Sequence, residues 1–146
     1  MPHTLILAYG NRLRGDDGMG PEAGERLRSI IHDPGVEIRT MQQLTPELME
    51  PISRAARVIF IDACEGGVPG EISERAVQPS AEGTRFTHHA TAEALLAGAC
   101  ALYGRAAEAT MLTVAGGEFS LSSGLSPAVE RSLDGVVAAT LRWLAC

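Results

Sequence analysis

Near its start the chain reads Thr4-Leu5-Ile6-Leu7-Ala8-Tyr9-Gly10-Asn11-Arg12-Leu13-Arg14-Gly15-Asp16-Asp17-Gly18-Met19-Gly20, a short apolar run followed by a turn rich in glycine. A short run that is apolar on both faces and bounded by glycine predicts a buried central strand over about 4–9. Glycine tolerates positive φ and has no Cβ, so the turn after the strand can bring backbone and acidic side chains close to a ligand. The stretch predicts an α/β protein with its chemistry just past the first strand.

Apolar runs alternate with helical patterns along the rest of the chain. Further strands are predicted at 36–42, 56–63, 71–77 and 109–115, and helices at 21–32 and beginning near 45, 91 and 126. Residues 71–77 alternate charged with small or apolar side chains, which is typical of an edge strand and predicts an antiparallel one. The alternation predicts a single domain over 1–146, a three-layer α/β/α sandwich around a mostly parallel five-stranded sheet.

Helical spacing also predicts which side chains face the core. The inner face of the helix at 21–32 is predicted to carry Ala23, Leu27, Ile30 and Ile31. The inner face of the helix capped by Thr91 is predicted to carry Leu95, Leu96, Ala99, Cys100 and Tyr103.

Composition excludes several classes of protein. The 146 residues carry a net charge of −6, and all 12 basic residues are arginine. An acidic, unclustered balance argues against nucleic-acid binding, which leaves a basic footprint. No apolar stretch approaches the roughly 20 residues of a membrane span, and no signal peptide is recognisable at the N-terminus, so we expect a cytoplasmic protein. Three widely spaced cysteines predict free thiols rather than a disulfide framework.

Polar residues follow the predicted buried strands. In open parallel sheets, ligands bind beyond the carboxyl ends of the strands. The residues at those ends, or in loops that return to them, are Asn11, Asp16, Asp17, Asp62, His88, His89 and Glu118. Two carboxylates and an imidazole converging there would form a mixed oxygen and nitrogen site for a divalent transition metal, with open positions for substrate or water.

Each of these residues also has a purely structural interpretation. Asp16 and Asp17 equally suit capping of the next helix, and histidines in polar loops are commonly solvated. Asp62 favours function more strongly, because a carboxylate that ends a buried strand must be hydrogen-bonded, paired or metal-bound. Cys64 is interpreted as a small buried side chain, and a Cys64 thiol with His88 or His89 is the alternative hydrolase pair. The turn matches neither nucleotide-binding glycine pattern.

Several motifs resemble those of the hydrogenase maturation proteases. The stretch from Ile6 to Gly20 matches the opening motif of that family, and further matches follow in order. These are Val58-Ile59-Phe60-Ile61-Asp62-Ala63, Thr87-His88-His89-Ala90-Thr91, Gly116-Gly117-Glu118-Phe119 and Gly124-Leu125-Ser126-Pro127-Ala128-Val129-Glu130. The resemblance implies a metal-dependent endopeptidase that removes a C-terminal extension from the large-subunit precursor of a nickel-iron hydrogenase once nickel is installed.

The resemblance also implies a nickel-binding trio of Asp17, Asp62 and His88, with His89 as the alternative to His88. The nickel would be supplied by the precursor and serve as the recognition element, either polarising the attacking water or only positioning the peptide. Ala8 departs from the glycine of many family members. No H-E-x-x-H pattern supports an ordinary zinc peptidase. The alternative function is a non-catalytic module that checks nickel occupancy or holds the precursor.

Overall fold

A computed structural model of the protein describes residues 3–80, 90–105 and 107–145. The elements follow one another in the order β1 (Thr4–Tyr9), α1 (Met19–Ile30), β2 (Val36–Met41), α2 (Met49–Arg54), β3 (Arg57–Cys64), β4 (Ile72–Val77), α3 (Ala92–Tyr103), β5 (Glu108–Ala115) and α4 (Pro127–Ala145). Short 3-10 turns at Gly15–Gly18 and Pro46–Leu48 lead into α1 and α2.

The five strands form one sheet in the order β2-β1-β3-β5-β4. β1 pairs in parallel with β2 and β3, and β3 pairs in parallel with β5. Among the described strands β4 pairs only with β5 and runs antiparallel to it, as the charge alternation of 71–77 predicts for an edge strand. The predicted sandwich and its antiparallel edge strand are therefore confirmed.

Helices cover both faces of the sheet and enclose a hydrophobic core on each. One core cluster joins alternate residues of β1 and β3 to α2 and α3, and includes Leu5, Leu7, Phe60 and Leu95. The other joins the opposite faces of the same strands to α1 and α4, and includes Ile6, Ile61 and Leu133. Because β1 and β3 are buried on both faces, their sequences are continuously apolar rather than alternating.

Two predictions of helix orientation are wrong in part. Ile30, assigned to the inner face of α1, is half exposed, and Cys100 and Tyr103, assigned to that of α3, are exposed. α3 reads AEALLAGACALY and is apolar almost all round, so helical spacing does not fix which side faces the core. The predicted cap is confirmed, because Thr91 Oγ1 accepts a hydrogen bond of 3.1 Å from the Ala94 amide.

Within the described ranges, every helix is too short or too polar to traverse a bilayer.

α1 begins at Met19 rather than at the predicted Pro21, and it packs directly on the ends of two strands. A Cβ added at Gly20 would lie 2.2 Å from the Tyr9 carbonyl oxygen and 2.8 Å from that of Ile61. Only glycine lets the helix approach this closely, and its first turn thereby fixes the loop that carries the acidic pair.

Gly20→Ala is therefore expected to destabilise the protein by about 2–3 kcal/mol, although alanine is the better helix former by about 1 kcal/mol. Urea unfolding of both proteins measures the difference. Gly98→Ala in α3 is the matched control, because its new Cβ would meet the flexible end of Met49 rather than backbone. A Gly20 variant as stable as the Gly98 variant would contradict the packing argument.

Candidate active site

A pocket of about 440 Å³ opens at the carboxyl ends of the parallel strands. Its lining comes from the ends of β1, β2 and β3, from β4 and β5, and from the start of α3. The polar lining residues are Tyr9, Asn11, Arg14, Asp17, Gln42, Gln43, Asp62, Arg75, Thr91 and Glu93. The pocket thus lies where an open parallel sheet places its ligand, and it contains Asn11, Asp17 and Asp62 from the predicted site.

Asp62 reaches the pocket from the end of β3, where it is partly buried. Burial and the nearby charge of Asp17 raise the pKa of Asp62 to about 7, against the opposing effect of hydrogen bonds from the Ala63 amide and the Tyr9 hydroxyl. A carboxyl with this pKa gains and loses a proton near neutral pH. That property suits a general acid or base.

Asp17 reaches the same pocket from the turn after β1. Its Oδ2 accepts a hydrogen bond of 2.7 Å from the backbone amide of Asn11. The turn folds back on itself at Gly10, where φ is +148° and an added Cβ would lie 1.9 Å from the Asp17 carbonyl oxygen. Glycine at this position therefore brings the Asp17 side chain to the mouth of the pocket beside Asp62.

Asp16 points the other way, into the protein, and is fully buried. Its carboxylate accepts hydrogen bonds from the amides of Gly117 at 2.9 Å, Glu118 at 3.0 Å and Ser126 at 2.7 Å, and from the Ser126 hydroxyl at 2.9 Å. Asp16 thus ties the turn after β1 to the loop after β5. The two adjacent aspartates have different surroundings: Asp17 faces the pocket and Asp16 holds its loop.

The other secondary candidates have mainly structural contacts. Asn11 lines the pocket, and its Oδ1 accepts a hydrogen bond of 2.9 Å from the Leu13 amide. The exposed Glu118 side chain accepts hydrogen bonds from the amide and hydroxyl of Ser120 and does not line the pocket. Cys64, the alternative nucleophile, is a free thiol that does not line the pocket either.

His88 and His89 lie outside the described residues. The first described residues after them, Ala90 and Thr91, line the pocket together with Asp17 and Asp62.

Tyr9, Arg75 and Glu93 are pocket residues that sequence reasoning missed. Burial and the charge of Asp62 raise the pKa of the Tyr9 hydroxyl well above its usual range, so the hydroxyl stays protonated and can donate to that carboxylate. Arg75 and Glu93 form an ion pair of 2.9 Å across the pocket wall. The position of Tyr9 follows from the parallel register of β1 and β3, whereas no local signal joins Arg75 of β4 to Glu93 of α3.

The donor set in the pocket fits an incomplete site for a divalent cation. The charge of such an ion would offset the burial and the repulsion from Asp17 that raise the pKa of Asp62. In the part of the chain that the structure describes, no three His, Cys, Asp or Glu side chains are grouped closely enough to hold a metal. Asp17 and Asp62 would therefore need a ligand from elsewhere to complete the coordination.

No protein-family model and no curated protein matches the sequence. Solved structures of the same fold superpose on nearly the whole chain. The hydrogenase 2 maturation peptidase of a Thaumarchaeota archaeon superposes with a TM-score of 0.76 and 27% identity, over 98% of both chains. HybD of Thermococcus kodakarensis, a [NiFe] hydrogenase maturation protease, gives 0.68 and 25% over 97% of this chain and 98% of its own. The hydrogenase maturating endopeptidase HybD of E. coli gives 0.80 and 23% over 98% and 92%, which shows the fold alone.

Proposed function

We propose that this chain, which belongs to the hydrogenase maturation protease family, cleaves a C-terminal extension from the large-subunit precursor of a nickel-iron hydrogenase. Three findings support the proposal: the ordered motifs, the fold shared with maturation peptidases, and above all the pocket that holds Asp17 and Asp62. The last is the observation that carries it. An acid pair in one pocket supplies both an incomplete metal site and a carboxylate that can take a proton from water.

The nickel in this proposal belongs to the precursor and is part of the substrate. Asp17, Asp62 and one histidine would leave coordination positions open, so an ion already bound to the precursor can complete a shared site. When bound, nickel would either polarise the attacking water as a Lewis acid or only position the scissile peptide. A precursor without nickel would lack the group that these carboxylates recognise.

Asp62 is the general base in the proposed reaction. In its ionised form it takes a proton from the attacking water, whose oxygen bonds to the scissile carbonyl carbon. The protonated Asp62 then returns that proton to the leaving amide nitrogen as the C–N bond breaks, which restores the carboxylate. The Tyr9 hydroxyl and the Ala63 amide favour the ionised form of Asp62, the form that takes the proton.

We also propose His88 as the third ligand, with His89 as the alternative. The resemblance of the stretch 87–91 to the family motif supports this choice, and Ala90 and Thr91 of that stretch line the pocket with Asp17 and Asp62.

Incubation of the purified protein with nickel-loaded and nickel-free precursor tests the function. We expect the loaded precursor to lose its tail and the nickel-free precursor to stay intact, as measured by mass spectrometry of both fragments. Equal cleavage of the two forms would contradict the role of nickel. A stable complex with an intact tail would instead support the non-catalytic binding module.

Paired variants assign the ligands in the same assay. Asp17→Asn is expected to abolish cleavage, whereas Asp134→Asn, at a 96% exposed side chain on α4, is expected to leave it unchanged. His88→Ala should abolish cleavage and His89→Ala retain it, and His32→Ala, outside the pocket, serves as the histidine control. Loss of activity in the His89 variant alone would exchange the roles of the two histidines.

A further inference from the structure

Two exposed leucines, Leu13 and Leu121, lie in neighbouring loops at the carboxyl ends of the strands, where the pocket opens. The exposed fractions are 66% for Leu13, in the turn after β1, and 87% for Leu121, in the loop after β5. Isolated exposed leucines are normal on protein surfaces, whereas contiguous exposed apolar patches mark interaction sites.

Backbone hydrogen bonds hold these two leucines in register. Arg14 and Ser122 form a parallel β-bridge, with the Ser122 amide donating to the Leu13 carbonyl at 3.0 Å and the Gly15 amide donating to the Ser122 carbonyl at 2.9 Å. Leu13 and Leu121 precede the bridged residues by one position each, so their backbones lie about 5 Å apart. Their exposure is thus built into the fold, because the buried Asp16 anchors the same two loops.

Arg14 adds a cation to this surface. Its side chain lines the pocket with Asp17 and Asp62, yet forms no ion pair or hydrogen bond with any other residue in 3–80, 90–105 or 107–145. Leu13, Arg14 and Leu121 together make a rim that is apolar on its outer side and positively charged on the side of the pocket.

We propose that this rim, defined as Leu13, Arg14 and Leu121, is the docking surface for the folded body of the precursor. The inference rests on the proposed function. The body would place an apolar side chain against the two leucines and a carboxylate against Arg14. Asn11 and Arg14, on either side of Leu13, both line the pocket, so the rim borders the pocket that the tail would enter. A second copy of the chain on this surface would obstruct the mouth of the pocket.

The double variant Leu13→Ser/Leu121→Ser tests the apolar half of the rim. We expect KM for the nickel-loaded precursor to rise at least about tenfold, with kcat within about twofold of wild type, because the leucines contact the body and not the scissile bond. Leu102→Ser is the matched control: this leucine is 70% exposed on the last turn of α3 and does not line the pocket. Its KM should equal that of wild type.

Arg14→Gln tests the charged half. KM of the wild type is expected to rise with ionic strength, and this salt dependence should be weaker in the variant because a screened ion pair has been removed. Arg12→Gln is the control, since Arg12 is already paired with Glu22 at 3.0 Å. An unchanged salt dependence in the Arg14 variant would overturn this half of the inference.

Direct binding separates failure of the rim from failure of the function. If wild type does not cut the loaded precursor, the proposed function fails, while precursor affinity still reports on the rim. If wild type cuts and the double serine variant has wild-type affinity and KM, the rim is not the docking surface. Light scattering tests whether the rim instead joins two copies of this chain. A wild-type particle mass larger than one chain that falls in the double serine variant would show such an interface and overturn the inference.

Discussion

Asp62→Asn is expected to reduce kcat for precursor cleavage by about 10²–10³-fold or more and, at the same time, to stabilise the metal-free protein above pH 7. The loss of activity follows because asparagine neither accepts a proton from water nor supplies a negative charge to nickel. The gain in stability follows because burial and the charge of Asp17 make ionisation of Asp62 unfavourable in the folded protein, as its raised pKa indicates. Asparagine does not ionise. The same residue thus favours activity and opposes stability.

The sign of the pH dependence follows from the two pKa values. In the unfolded chain Asp62 ionises near its ordinary pKa of 3.8, and in the folded protein near 7. Between these values the unfolded state releases its proton first, so rising pH favours unfolding. The loss of stability caused by ionising Asp62 in the folded protein is absent below about pH 4, grows between pH 4 and pH 7, and reaches its full size above pH 7. Since one pKa unit corresponds to about 1.4 kcal/mol, the upper limit is about 4 kcal/mol.

Urea unfolding in the presence of a chelator at pH 4, 6 and 8 measures this dependence. The Asp62→Asn variant should exceed wild type in free energy of unfolding at pH 8, by less at pH 6, and match it at pH 4. Asp134→Asn makes the same chemical change at an exposed carboxylate and should match wild type at all three values. A variant that is less stable than wild type at pH 8 would show that the Asp62 carboxylate is stabilising, which contradicts the raised pKa.

The placement of Asp62 was predictable because its signals are local. β3 is a continuous apolar run that ends in a carboxylate, and strand alternation with parallel pairing carries that residue to the ligand-binding edge of the sheet. The register adds Tyr9 without further assumption: Ala8 pairs with Ile61, so Tyr9 comes level with Asp62 on the next strand. Sequence therefore contains enough to predict the sheet and one carboxylate of the site.

Local sequence signals do not predict which of Asp16 and Asp17 faces the pocket and which is buried. Both belong to one glycine-rich turn, and both suit a cap or a ligand equally well. The partners that distinguish them are remote, since the amides that bind Asp16 come from residues 117, 118 and 126, about 100 positions along the chain. Only the packing of the loop after β5 against the turn after β1 decides which aspartate faces the pocket.

Asp16→Ala is expected to lower the free energy of unfolding at pH 7 by about 3–5 kcal/mol, which for a chain of this size lowers Tm by about 10 °C. The substitution leaves the buried amides of Gly117, Glu118 and Ser126 without their acceptor, and unpaired buried donors are costly. Differential scanning calorimetry measures the change. Asp33→Ala is the control, because Asp33 is exposed and its carboxylate accepts a hydrogen bond of 2.7 Å from the Gly35 amide of the same turn.

The same carboxylate predicts a pH dependence opposite to that of Asp62. Burial alone would raise the pKa of Asp16, but the hydrogen bonds from Ser126, Gly117 and Glu118 together hold it below the ordinary value of 3.8. The stabilisation is therefore complete above about pH 4 and is lost as pH falls toward the lowered pKa. The difference between wild type and Asp16→Ala should accordingly narrow between pH 4 and pH 2. A constant difference over this range, or equal Tm values at pH 7, would show that Asp16 does not anchor the turn through its charge.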